Sequence, residues 1–423
     1  METMEITTAA AAAGKPGYKL TRFGWIPEEW EVTKLKKCCQ LIKDGTHFSP
    51  VSKDGPRMYI TSKNIRNGHL DLRNLSYISE EEHRSIYSRC PVQKGDILLT
   101  KDGASTGNVC QNPLEEEFSL LSSVAVIRTD EKKAYNSYLL QFLLSPIGVK
   151  AIDDEIAGQA ITRITLDKIQ AIQVPLPSLE EQRRITNFLD GVDKSVRLLT
   201  DLVKAKNAYK RGLMQQLLTG QLRFPEFQGQ PWREVKLGEV FGKKSMKNVG
   251  NRVSLVITVG KYAIRPQLSH FNRSVASSDL SAYNVIEPGD FVYDPMSAYY
   301  GAIGRYDLTE AGVVSPVYRV LTIQSGFDTD FAKQLLKSPY ILGRLDNAST
   351  QGNKEGKRRG LQDGAFNGIS FKCPPLPEQQ RIATVLTACD QEIELLQAQL
   401  RQWQQQKKGL MQHLLTGQLR VPH

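Results

Sequence analysis

With 423 residues, 40% of them hydrophobic, and a mean hydropathy of −0.36, the chain has room for two or three soluble domains and lacks the apolar content of a membrane protein. A net charge of +10 and a pI near 9.1 suit a polyanionic partner, although solubility alone accounts for such a charge equally well. Six cysteines (Cys38, Cys39, Cys90, Cys110, Cys373, Cys389) form no CxxC pair and no Cys/His ligand spacing, which argues against a zinc site and fits a reducing cytoplasm.

Residues 1–17 read as a frayed tail, since Glu2 and Glu5 are acidic and the alanine run is too short for a signal peptide or a membrane span. Residues 18–177 carry short apolar runs punctuated by Gly, Asp and Asn. Met58-Tyr59-Ile60, Asp96 to Thr100 and Ser123 to Ile127 read as strands, and Tyr135 to Ser145 with its continuation as helix, giving a mixed α+β domain. Residues 178–222 read as one long helix whose seam is Ile185, Leu189, Val192, Val196, Leu199, Val203, Leu213 and Leu217. Ser178 and Glu181 offer a capping box, and Pro175 and Pro177 lie just before the start, where a proline ring does no harm.

Residues 223–376 repeat the first domain loosely. Trp30 to Leu35 reappears as Trp232 to Leu237, Lys94 to Ile97 as Pro288 to Phe291, and Ser145-Pro146 as Ser338-Pro339. Residues 377–423 then form a second helix and tail, with the seam Ile382, Leu386, Cys389, Ile393, Leu396, Leu400, Trp403, Leu410 and Leu414. A shift of 197 residues superposes the two helices, and Lys210 to Pro225 is nearly identical to Lys407 to Pro422. The chain is an internal duplication. The expected fold is α+β: two similar α/β domains separated by two long antiparallel coiled-coil helices, related by a pseudo-two-fold. At ~1.5 Å per residue a 40-residue helix is about 60 Å long. A two-fold object with separated readers suits a duplex whose half-sites lie about one helical turn apart.

The parts of a DNA-modifying enzyme are missing. Asp294-Pro295-Met296-Ser297 lacks the second proline and the aromatic residue of a methyltransferase tetrapeptide, Gly301-Ala302-Ile303-Gly304 is too short for a nucleotide loop, and no GxxxxGK[ST] segment occurs. The six histidines form no HxH or HxxxH pair. The chain reads as non-catalytic, with no cofactor of its own.

What remains is recognition. The basic, glycine-bounded stretch Gly352 to Gly360 reads either as a solvated surface loop or as a binding loop with Lys354, Lys357, Arg358 and Arg359 as phosphate or guanine contacts. In the first domain, Lys43 to His47, Thr61 to Asn64 and Gln159 to Arg163 are polar, turn-rich segments that read, taken singly, as plain loops or as contacts to base edges or phosphates, with Lys43, Thr46, His47, Lys63, Asn64, Gln159 and Arg163 as candidates. Lys101 to Gly107 reads either as an anion-holding turn, with Lys101 the cation, or as a tight hairpin. In the helices, Gly212 and Gly409 each cost about 1 kcal/mol relative to alanine. That both copies agree there and through Arg223 points to a surface used twice by one partner, with Leu213, Met214, Leu217, Leu410, Met411 and Leu414 as candidates, or to a junction that both copies must build.

Asp44 to Pro50, Lys94 to Leu98, the Pro-Leu-Pro runs followed by Glu181 to Ile185 and by Glu378 to Ile382, and the paired Leu-Leu-Thr-Gly-Gln-Leu-Arg tails together resemble the specificity subunit of type I restriction–modification systems. The resemblance covers essentially everything after residue 17. It implies two target-recognition domains, each reading one half of a split double-stranded DNA site, and two helices that set the spacer and dock two modification subunits. Those partners would carry S-adenosylmethionine and methylate adenine, and motor-nuclease subunits using ATP and Mg would join for restriction. The middles of the two domains diverge most, so the half-sites should differ. The competing expectation is a two-headed scaffold that holds two protein-binding domains apart.

Overall fold

The computed structural model describes residues 15–52, 54–156, 162–261, 263–268, 277, 279–352 and 358–422. The chain divides into two compact units: one comprises residues 1–199 with 399–423, the other residues 200–398.

The first unit is organised by an antiparallel sheet of β1 (Cys39–Asp44), β2 (Ile97–Thr100), β3 (Val109–Gln111) and β4 (Val124–Thr129), in the order β3-β2-β4-β1. Both faces of its central strands are buried, which is why β2 and β4 are continuous apolar runs rather than alternating ones. Ile97, Leu99, Ala125 and Ile127 face a core that also holds Trp30, Tyr138, Phe142 and Ile169. Leu98, Val124 and Val126 face a second core with Met58, Ile60 and Phe118. That second face is closed by a smaller sheet of Arg57–Ile60, Ser76–Ile78 and Ser119–Leu120, while Asn136–Leu144, Pro146–Ile156 and Leu166–Ala171 supply the helices.

The second unit repeats the plan with β5 (Phe241–Lys244), β6 (Phe291–Tyr293), β7 (Ile303–Arg305) and β8 (Arg319–Ile323), in the order β5-β8-β6-β7. Phe291, Tyr293 and Leu321 face one core, and Val292 and Val320 the other. The register fixes the correspondence: Ile97 pairs with Ile127 and Leu99 with Val109, as Phe291 pairs with Leu321 and Tyr293 with Ile303. The turns from Lys101 to Asn108 and from Pro295 to Ala302 therefore match residue for residue.

The long helices span Leu179–Leu218 and Leu376–Leu414. Within the first unit they run antiparallel, with Asp193 ion-paired to Lys407 and Glu181 to Arg420. Within the second, Lys206 meets Glu392 at 2.6 Å and Arg223 meets Glu378 at 2.7 Å, again antiparallel. The apolar seam is uneven. Ile185, Leu189, Ile382, Leu386 and Ile393 are buried, but Trp403, expected in the seam, is 40% exposed. Among the described residues no helix is long and apolar enough to cross a membrane.

Candidate nucleic-acid interface

The first unit gathers four polar segments that are far apart in sequence. Gly45 leaves β1 where an added Cβ would lie 1.9 Å from the Leu120 carbonyl oxygen, so only glycine lets the backbone pass. Next to it, Thr46 N donates to Leu120 O at 2.8 Å and Ser122 N to Thr46 O at 2.8 Å, tying residues 45–47 to residues 120–122. Lys101 N then donates to Ser123 O at 2.7 Å, and Ser62 N to Ser123 Oγ at 3.3 Å, bringing in the turn after β2 and the segment Thr61–Asn64. Ile164 N donates to Lys101 O at 2.9 Å, and Arg163 pairs with Asp102 at 2.9 Å, adding the fourth. Segments 43–47, 61–64, 101–107 and 162–163 thus form one edge.

Within that edge the candidate residues separate by role. Lys63, His47 and Arg163 stand at the surface, the last two 63% and 51% exposed in their side chains. Lys43 is exposed and donates to Arg89 O at 3.1 Å. Thr46 is half-buried, and its hydroxyl accepts from Phe48 N at 3.2 Å. Two expectations are corrected. Lys101 is buried and ion-paired with Asp44, whose carboxylate also lies 3.8 Å from His47 Nε2, so its charge is spent inside the fold instead of on a ligand. Asn64 is buried too: its Oδ1 accepts from Thr61 N at 3.0 Å, and its Nδ2 donates to Asp71 O and Asn74 O. Gln159 lies outside the described residues.

A cavity of about 530 Å³ opens beside this edge between residues 43–51 and the helix Glu80–Tyr87, lined by Lys43, His47, Phe48, Glu82 and Arg89 among others. The Glu82 carboxylate closes one side by accepting from Val51 N at 2.7 Å and Ser52 N at 3.3 Å. Sequence reasoning missed Arg66 and His69, both exposed on a hairpin that packs on β3 through Gly68 N to Val109 O at 2.8 Å. The Asn67-Gly68 dipeptide between Arg66 and His69 was the available signal.

In the second unit the equivalent edge holds the turn Pro295 to Ala302 and the strand Arg358–Gly360, joined by Leu361 N to Pro295 O at 2.9 Å. Arg358 and Arg359 pair with Gly352 and Gln351 in a two-stranded ladder. Lys354 and Lys357 lie outside the described residues. Lys337 fastens the turn from behind, Nζ donating to Gly301 O at 2.8 Å and Lys261 O at 3.2 Å, and burial pushes its pKa down to about 8. Among the described residues no group of three or more His, Cys, Asp or Glu side chains could hold a metal ion.

The repeated ends of the helices have an internal explanation. Met214 and Leu217 are buried in the second unit's core with Leu213 packed against it, while Met411 and Leu414 are buried in the first unit's core with Leu410 against it. The six apolar candidates for a partner surface are thus interior packing. The final arginine of each repeat forms a clamp: Arg223 donates to Glu378 at 2.9 and 2.7 Å, and Trp232 Nε1 to the same carboxylate at 2.8 Å. Arg420 and Trp30 Nε1 hold Glu181 in the same way. The following glutamines also match, since Gln182 accepts from Tyr135 N and Gln379 from Asp328 N, each also donating to a proline carbonyl. Ser178 Oγ accepts from Glu181 N at 3.3 Å, while the carboxylate of Glu181 serves Trp30 and Arg420.

Residues 27–205 match the family model described as the type I restriction modification DNA specificity domain. A putative type I restriction enzyme MjaX specificity subunit of Methanocaldococcus jannaschii is 25% identical over 96% of this chain and 97% of its own length. The MjaVIII specificity subunit of the same organism is 24% identical over 94% of both chains. Among solved structures, a chain from a study of complex assembly and conformational transition in the type I R-M system superposes with a TM-score of 0.57 at 17% identity, over 93% of this chain and 99% of that one. The S subunit of a type I restriction-modification system from M. genitalium gives 0.55 at 15% identity, over 95% and 99%. With its duplicated units, its antiparallel helices and relatives aligned over nearly its whole length, the chain is similar throughout to specificity subunits of type I restriction–modification systems, and residues 27–205 match their DNA specificity domain.

Proposed function

We propose that this chain is the non-catalytic DNA-reading subunit of a cytoplasmic restriction–modification assembly. The edge of each unit reads one half of a bipartite, asymmetric site, and the target-recognition domains are residues 18–177 and 223–376. The carrying observation is the convergence of segments 43–47, 61–64, 101–107 and 162–163 on one edge of the first unit, with Lys63, His47 and Arg163 at its surface. Exposed cations at such an edge position a polyanion, and neutral polar groups beside them read base edges. The helices, residues 178–222 and 377–423 with the tail, set the spacer and dock two modification subunits; motor-nuclease subunits complete the assembly. S-adenosylmethionine, ATP and Mg belong to those partners.

The docking surface rests on exposed helix positions in place of the buried repeats. Leu198 and Leu395 occupy the same place in the two copies and are 62% and 61% exposed, with Phe188, Leu202 and Tyr209 also exposed on the first helix. Unpaired large apolar side chains on a helix face mark a protein contact. The test is to co-express the chain with its modification subunit and map methylated adenines across a host genome. A split motif with a fixed unspecified gap supports the reading; a stable, cofactor-competent complex that adds no methylation refutes it and favours a protein scaffold.

A further inference from the structure

The matched turns of the two units carry opposite chemistry at equivalent positions. In the first unit the turn after β2 presents Asp102, Ser105 and Thr106, and Asp102 holds the Arg163 guanidinium at 2.9 Å. In the second, strand register places Met296 where Asp102 stands, Tyr299 and Tyr300 at the positions of Ser105 and Thr106, and Gly360 at that of Arg163. An ion pair has been exchanged for a thioether beside a glycine. The Met296 sulfur lies 3.7 Å from where a Cβ on residue 360 would sit, so the thioether packs in ordinary van der Waals contact beside this glycine.

This apolar turn is held in place. Asp294 N donates to Ala302 O at 3.0 Å, Leu361 N to Pro295 O at 2.9 Å, and Lys337 Nζ to Gly301 O at 2.8 Å. Yet Met296 is 40% and Tyr300 47% exposed. A fixed turn that keeps a methionine and a tyrosine in water presents a preformed apolar contact. On the DNA major-groove floor the one apolar group that distinguishes base pairs is the thymine 5-methyl.

We propose that Met296, flanked by Tyr300, contacts the 5-methyl group of a thymine in the second unit's half-site, an assignment that rests on the DNA-reading function above. The first unit, with its Asp102–Arg163 pair at that place, makes a polar contact there instead. The two half-sites therefore differ in chemistry at equivalent positions.

The test uses the complex with its modification subunits and a duplex carrying the mapped motif. Each thymine on either strand is replaced in turn by deoxyuridine, which removes only the methyl group. Affinity should fall about four-fold, the worth of one buried methyl, at a position in one half-site. Met296→Ala should bind the thymine and deoxyuridine duplexes alike there, and Met296→Leu should keep the discrimination. Indifference to deoxyuridine throughout the site, or discrimination that survives Met296→Ala, would overturn the assignment. So would Met296→Ala weakening assembly with the modification subunits while leaving thymine discrimination intact, because that would make the turn a protein contact. Absence of any sequence-specific binding would overturn the function itself, and this assignment with it.

Discussion

Replacing Glu378 by alanine removes the acceptor of two Arg223 hydrogen bonds and of the Trp232 indole N–H. Glu378 is wholly buried and the Arg223 side chain only 18% exposed, so the variant leaves a guanidinium with little access to water and no counter-charge, held by the Gln230 carbonyl at 2.8 Å. Breaking a buried ion pair from one side costs about 3–5 kcal/mol. The equivalent change at Glu181 is milder, because Arg420 is 44% exposed and keeps Glu29 at 2.8 Å; a cost of about 1–3 kcal/mol is expected. Hydrogen exchange in graded denaturant, read separately for peptides of each unit, measures both. Glu378→Ala should lower protection throughout residues 200–398, and replacing Arg223 and Glu378 together by leucine should recover much of the loss. Equal losses for the two alanine variants, or a loss below about 1 kcal/mol at Glu378, would refute the idea that burial of the clamp sets its contribution.

The two lysines of the first edge should behave oppositely. Lys63→Ala weakens DNA binding by the complex and lowers its log–log salt slope by about 1 without changing the melting temperature. Lys101→Met strands the Asp44 carboxylate and lowers stability by about 3–5 kcal/mol, as a melt of the purified variant would show. Gly212 and Gly409 have open space where a Cβ would be added, so alanine at either should raise helix stability by about 1 kcal/mol; a loss of modification-subunit binding in the same variants would show that a partner backbone approaches there. Lys337 has its pKa pushed down to about 8 by burial, against about 10.4 when unfolded, so the unfolded chain binds the extra proton between those values. Stability of the second unit therefore rises as pH increases from 8 toward 10, by at most about 3 kcal/mol, and Lys337→Met removes that slope in unit-resolved hydrogen exchange.

The sheet strands were legible because their physics is local. Ile97 to Leu99 and Val124 to Ile127 are continuous apolar runs, and burial on both faces of β2 and β4 demands such runs. The duplication was equally plain, but its meaning was not. Leu213 to Arg223 recurs because both copies seal a core and close an arginine clamp, and a repeated packing surface has the same sequence signature as a repeated binding surface. Lys101 was misread for a related reason: beside an Asp-Gly turn it looks solvated, and the carboxylate that draws it inward is Asp44, 57 residues earlier. Asn64 looked like a base reader because the carbonyls of Asp71 and Asn74 that claim its amide are set by tertiary contacts. Arg66 and His69 were overlooked since nothing local shows that their hairpin lies beside β3.

The first unit takes its last core residues, Met411, Leu414 and Leu415, from residues 399–423, whereas the second is built from the uninterrupted stretch 200–398. On the ribosome this reverses the usual order of events. The second unit has all its residues as soon as position 398 emerges, while the first waits with its core incomplete until Met411, Leu414 and Leu415 have been made. At about 5–20 residues per second that wait lasts roughly 10–40 s, long enough for a nascent chain to meet a chaperone or a neighbouring chain. The domain translated first is the one that finishes last.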